Sequence, residues 1–168
     1  RSTGGTSSAS YCYGVWLRHL VMAHDSNLSA TPPLQIAELG PGDSIGTGLA
    51  ALISGSETYY GLDVVRYANA ERNLAVFDEL VDLFQRRVSI PEGPQMAKVK
   101  PHLGSYAFPA GILPDAHLEC CLDRSRLQRI RQAIAAPNEP GSPIFYAAPW
   151  FNADIVRHET VDMIFSQT

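Results

Sequence analysis

The sequence lacks several features that would assign it to a familiar class of protein. No apolar run approaches the roughly 18 residues that a membrane-spanning helix requires, so we expect no span. The first ten residues are rich in serine, threonine and glycine and contain no apolar segment typical of a secretory signal, so we interpret 1–10 as a flexible lead-in. The three cysteines, Cys12, Cys120 and Cys121, include an adjacent pair and form a poor disulfide framework. This cysteine usage favours a reducing compartment, the cytoplasm.

Positive charge and metal ligands are also sparse. The chain has 13 Lys and Arg against 17 Asp and Glu, a net charge of −4. This charge argues against a nucleic-acid partner, because nucleic-acid-binding domains usually present a basic face.

His117, Cys120 and Cys121 can share one helical face, but they are an incomplete ligand set with no recognised zinc spacing. We therefore expect no metal site.

Apolar periodicity predicts a single α/β domain over residues 11–168. Helices are expected over 11–24, with Ser10 as the capping residue, and over 44–54, 69–87 and 116–136, because apolar residues recur there at three and four positions. Strands are expected over 34–39, 58–64, 144–148 and 161–167. Residues 89–115 are rich in proline and glycine and are expected to form a functional loop or lid. A strand, helix and strand in close succession indicate a parallel sheet.

The end of the first strand carries the most informative motif. Glu38, Gly40 and Gly42 are followed at once by a helix, and Asp63 ends the next strand. Glycines at such a turn let a ligand approach the backbone, the free N–H groups of the helix start face it, and a strand-end carboxylate can accept hydrogen bonds from two ribose hydroxyls. The pattern predicts a nucleotide-like ligand.

Three ligands compete for this site. A dinucleotide site requires glycine at the position that Ile45 occupies, although Gly46 follows it. A phosphate loop requires Gly-Lys-Ser/Thr, which does not occur in the chain. The third ligand is S-adenosylmethionine.

The segment Ala37-Glu38-Leu39-Gly40-Pro41-Gly42-Asp43-Ser44 closely resembles motif I of class I S-adenosylmethionine-dependent methyltransferases. Gly61-Leu62-Asp63-Val64 resembles their second motif, and 161–166 resembles their fourth strand. This resemblance covers residues 11–168. It implies a Rossmann-like parallel sheet with strand order 3-2-1-4 and helices on both faces. Ser44 stands where the family has a third motif-I glycine.

The resemblance also implies roles for individual residues. Glu38 would orient the methionyl end of the cofactor, and Gly40, Pro41 and Gly42 would form the turn beneath it. Asp63 would bind the ribose hydroxyls, and Val64 would pack on the adenine. Trp150 or Phe151 would flank the adenine, with Asn152 or Asp154 near its amine. Ser166 and Gln167 would lie close to the methyl donor.

Members of this family continue with further strands after the fourth. We therefore expect the chain to be the N-terminal part of a longer methyltransferase, or its open edge to be covered by a partner or a second copy. The acceptor is expected to be a small molecule, a sugar or a lipid precursor, and no catalytic base is identified. An NAD-dependent oxidoreductase and a non-catalytic cofactor-binding module are the alternatives.

Overall fold

The computed structural model describes residues 5–151, 153–156 and 160–167. The helices and strands within these residues are, in order, α1 (Ala9–Asp25), β1 (Gln35–Leu39), α2 (Gly46–Ser54), β2 (Thr58–Leu62), α3 (Ala70–Gln85), α4 (Asp115–Cys121), α5 (Arg124–Ala135), β3 (Ile144–Ala147) and β4 (Met163–Ser166). Short 3₁₀ turns occupy Gly5–Ser7, Pro94–Met96 and Ala153–Ile155. Among the described residues, no helix has the length and apolar character needed to cross a membrane.

The four strands form a parallel sheet in the order β3-β2-β1-β4. This arrangement confirms the Rossmann-like fold and the expected strand order. Both neighbours of β1 run parallel to it, so Leu39 is paired with Leu62 on one side and with Ser166 on the other. The carboxyl ends of β1, β2 and β4 therefore lie together at one edge of the sheet, where ligands bind in folds of this class.

All five α-helices pack against the same face of this sheet. Alternate strand residues, among them Ile36, Tyr59 and Phe165, share one apolar core with side chains from every α-helix. Residues pointing to the opposite face, such as Tyr60, lie outside that core. On that face Tyr60 stacks on Phe145 with ring centroids 5.2 Å apart. The shared core thus places the described helices with these strand residues, and helices on both faces of the sheet stay a prediction.

Two predicted helix boundaries differ from the structure because short side chains cap helices at other positions. Ser8, and not Ser10, caps α1, accepting a hydrogen bond from the N–H of Tyr11. Asp123 accepts hydrogen bonds from the N–H groups of Ser125 and Arg126 and so begins a new helix. The predicted helix 116–136 is consequently two helices, α4 and α5.

The segments expected to be irregular are held by specific contacts. Residues 5–10, part of the expected flexible lead-in, contain a 3₁₀ turn and the start of α1. In the long loop, the buried Arg18 of α1 donates hydrogen bonds to the carbonyl oxygens of Pro91 and Pro101, at 2.9 and 3.2 Å. The loop 89–115 is thereby attached to the helical layer.

Candidate functional site at the carboxyl edge of the sheet

The glycine-rich turn after β1 is joined to the end of β2 through Asp63. One carboxylate oxygen of Asp63 accepts a hydrogen bond from the N–H of Gly42 at 3.1 Å, and the other accepts one from the N–H of Val64 at 2.7 Å. Gly40 and Gly42 have φ angles of +72° and +75°, a backbone conformation that favours glycine. The turn therefore brings the sequence motif and the strand-end carboxylate into direct contact.

Glu38 does not face this turn. Its side chain is only 2% exposed, and its Oε2 accepts a hydrogen bond from the hydroxyl of Tyr59 at 2.8 Å, on the helix-covered face of the sheet. Burial raises the pKa of Glu38 to about 7, against the lowering effect of the hydrogen bond from Tyr59. The carboxylate of Glu38 is thus engaged by Tyr59 in the core, and its expected role in orienting a methionyl group stays a prediction.

The first backbone N–H groups around the start of α2 are engaged by the chain itself. The N–H of Ser44 donates to the Oγ1 of Thr6 at 3.3 Å, that of Ile45 to the Oδ1 of Asn73 at 3.2 Å, and that of Gly46 to the Oγ of Ser44 at 3.0 Å. A phosphate at a helix N-terminus depends on such N–H groups. Three of the N–H groups expected to face a ligand are therefore engaged within the chain.

Thr6 and Asn73 are site residues that the sequence motif did not identify. Thr6 lies against the turn, because a Cβ on Gly42 would be 3.4 Å from its Oγ1, and its carbonyl oxygen accepts a hydrogen bond from the hydroxyl of Ser44. Asn73 is 6% exposed and belongs to α3, whose start is indicated by the capping residue Asn69. A buried asparagine on an apolar helix face was the available signal for Asn73, whereas nothing local marked Thr6.

The candidate adenine contacts lie beside Asp63 and are open to solvent. Val64 is 68% exposed, Trp150 is 39% exposed and Phe151 is 88% exposed. The N–H of Trp150 donates to the main-chain oxygen of Asp63 at 3.0 Å, so the segment after β3 adjoins the end of β2. Exposed apolar side chains next to a buried carboxylate form a surface suited to an aromatic ring with polar substituents.

The remaining predicted residues lie around this edge. Pro41 is part of the turn between the two glycines and is buried, and Ser166 at the end of β4 donates from its Oγ to the main-chain oxygen of Leu39 at 3.0 Å. Asp154 is exposed in the 3₁₀ turn that follows β3, and Asn152 lies outside the described residues. The structure thus brings Gly40, Gly42, Asp63, Val64 and Trp150 together, places Ser166 at the neighbouring strand end, and directs Glu38 elsewhere.

The cysteine and histidine cluster lies away from this edge. The Nε2 of His117 is 2.8 Å from the main-chain oxygen of Ser54 and 3.3 Å from the Sγ of Cys121, while Cys120 is exposed. Within the described ranges no three His, Cys, Asp or Glu side chains converge in a way that could hold a metal ion. The contact of His117 with Ser54 attaches α4 to the end of α2.

No protein-family model, curated protein or solved structure matches this chain. The fold and the contacts at the carboxyl edge are therefore the basis for a function.

Proposed function

We propose that the chain is an S-adenosylmethionine-dependent methyltransferase domain. The observation that carries this proposal is the contact of Asp63 with the glycine-rich turn, beside the exposed Val64 and Trp150. A carboxylate has about four acceptor positions, and Asp63 uses two of them for N–H groups of its own chain. Acceptor positions are thus left for ribose hydroxyls, with apolar side chains alongside for adenine.

The hydrogen bonds around the start of α2 favour this cofactor over NAD. A dinucleotide needs main-chain N–H groups for its pyrophosphate. Three of those N–H groups are engaged by Thr6, Asn73 and Ser44. S-adenosylmethionine carries no phosphate, and its one anionic group is the carboxylate of its methionyl part, so it requires fewer such N–H groups.

The residues of this chain would act mainly by positioning. When bound, S-adenosylmethionine supplies a methyl group on a positively charged sulfur, so alignment with the acceptor supplies much of the catalysis. Asp63 would orient the ribose, and Val64 and Trp150 would hold the adenine. Ser166, at the end of β4, would lie on the side of the methyl group. We propose a small molecule, a sugar or a lipid precursor as the acceptor and do not propose nucleic acid.

The cellular setting is part of the same proposal. The three cysteines are free thiols, which suits the reducing cytoplasm. β4 is an edge strand, and its Ile164 is 64% exposed. We propose that a second copy or a further chain segment covers this edge. Sedimentation of the purified chain across a concentration series measures its oligomeric state and so tests for a second copy.

Calorimetry with S-adenosylmethionine, S-adenosylhomocysteine and NAD tests the cofactor. We expect both sulfur compounds to bind and NAD not to bind. Asp63→Asn should weaken binding of S-adenosylhomocysteine by about 1–3 kcal/mol, because the charge-assisted hydrogen bonds to the ribose are lost. Asp162→Asn is the matched control, since Asp162 also accepts two main-chain N–H bonds, from Leu34 and Gln35, but at the opposite end of the sheet.

Tryptophan fluorescence gives an independent readout of the same site. Trp16 is fully buried and donates its indole N–H to Ser54, whereas Trp150 is partly exposed beside Asp63. We expect S-adenosylhomocysteine to change the emission of the native chain but not that of Trp150→Phe. Binding of NAD alone, or unchanged affinity in Asp63→Asn, contradicts the proposal. Binding of S-adenosylhomocysteine with no turnover on any acceptor supports the non-catalytic module instead.

A further inference from the structure

The two lysines of the chain lie at one cavity. Lys98 and Lys100 are the only lysines in the sequence, and both line a cavity of about 680 Å³ between α1, the long loop and β4. Both side chains are exposed, and neither forms an ion pair with any described residue. In a chain with a net charge of −4, this is a local concentration of unpaired positive charge.

The rest of the cavity wall is mainly apolar, and no described residue that lines it is acidic. The other residues that line it are Met22, Ala23, Leu28, Pro101, Met163, His19, Ser166 and Gln167. Leu28 is 80% exposed and Met22 is 40% exposed, so the wall that the two lysines also line presents apolar surface to solvent. A ligand that matches this wall has both an apolar part and a negative charge.

The position of the lysines is fixed by contacts behind the cavity. Arg18 is 2% exposed and donates hydrogen bonds to the main-chain oxygens of Pro91 and Pro101. Its guanidinium also lies 4.6 Å from the ring centroid of Tyr106. These contacts hold the segment 98–101 against α1, so the backbone that carries the two lysines is already in place. Less conformational entropy of this loop is therefore lost when a ligand binds.

His19 adds an unused polar group to the same wall. Its ring packs against Phe165 with centroids 5.2 Å apart, and its Nε2 is buried without a hydrogen-bond partner among the described residues. Because this nitrogen has almost no accessible surface, the lysines and the apolar wall, and not His19, would contact a ligand.

We infer that this cavity binds a small amphipathic anion, an alkyl chain that carries a carboxylate or a phosphate. The lysines bind the anionic group, and Met22, Leu28 and Met163 contact the alkyl chain. The volume lies in the range of small-molecule sites, which favours a small ligand over a macromolecule. The inference goes beyond the proposed methyl transfer and does not depend on it.

Binding of decyl compounds to the full chain tests this inference. Decyl phosphate, decanoate, decanol and decyltrimethylammonium are titrated below their micellar concentrations and without any adenosyl compound. We expect the two anions to bind at least about tenfold more tightly than decanol, because the lysine ammonium groups form charge-assisted hydrogen bonds with the anionic head group, and we expect the cation to bind most weakly. The preference for anions should weaken as salt is raised.

A pair of variants separates the lysines from net charge. Lys98→Gln with Lys100→Gln should remove most of the preference for anions. Arg86→Gln with Arg131→Gln removes the same charge at two exposed ion pairs, with Asp82 and Asp78, and should retain that preference. Equal binding of decanol and the anions overturns the inference, as does an equal loss in both double variants. Since S-adenosylhomocysteine is absent from these titrations, their outcome is separate from that of the cofactor test.

Discussion

Replacing Glu38 by glutamine should make the stability of this protein less sensitive to pH. Glu38 is 2% exposed, and burial raises the pKa of its carboxyl from 4.5 to about 7, with the hydrogen bond from Tyr59 acting in the opposite direction. Glutamine has nearly the same shape, remains neutral, and offers an oxygen to the hydroxyl of Tyr59. The variant therefore removes the titration and keeps the packing.

The size and sign of the effect follow from the two pKa values. Below about pH 4.5 the carboxyl is protonated in both the folded and the unfolded chain. Between pH 4.5 and about 7 only the folded chain retains the proton, so its stability falls as pH rises, and above pH 7 the folded chain holds a buried charge. At about 1.4 kcal/mol per pKa unit, the total loss is about 3 kcal/mol.

Urea denaturation at a series of pH values between 4.5 and 8 measures this effect. The free energy of unfolding of Glu38→Gln, minus that of the native sequence, should rise by about 3 kcal/mol across the series. Asp82→Asn is the control, because Asp82 is an exposed carboxylate paired with Arg86, and its difference should stay within about 0.5 kcal/mol. A difference for Glu38→Gln that does not change with pH refutes the reasoning.

Two further predictions concern packing. Gly48→Ala would place a Cβ 2.2 Å from the ring of Tyr59, so it should lower the free energy of unfolding by about 1–3 kcal/mol, as urea denaturation measures. Gly104→Ala, where a Cβ meets nothing within 4 Å, is the control, and an equal loss at both positions would show that the clash is not the cause. Iodoacetamide should modify Cys120 in the native chain but not Cys12, which is fully buried and whose pKa burial raises to about 12. Peptide mass spectrometry locates the adduct, and rapid native labelling of Cys12 would contradict its burial.

Local patterns in the sequence were enough to predict much of the sheet. The apolar runs around Ile36, Tyr59, Ile144 and Phe165 each correspond to a strand, the strand–helix alternation indicated a parallel sheet, and the family resemblance implied its order. Helix ends were less predictable because serine and aspartate cap helices at several positions with similar free energy. Ser8 and Asp123 are the examples here.

The glycine-rich turn after β1 and the carboxylate that follows β2 could be located without the structure, since spacing along neighbouring parallel strands places Gly42 and Asp63 at one edge. The three-dimensional packing directs Glu38 into the core, because the hydroxyl of Tyr59 on the adjacent strand provides its hydrogen bond there. It also decided that Thr6 lies on the turn, 38 residues away from its partner Ser44 in the chain. Such contacts depend on how separate elements pack, and no periodicity within one element encodes them.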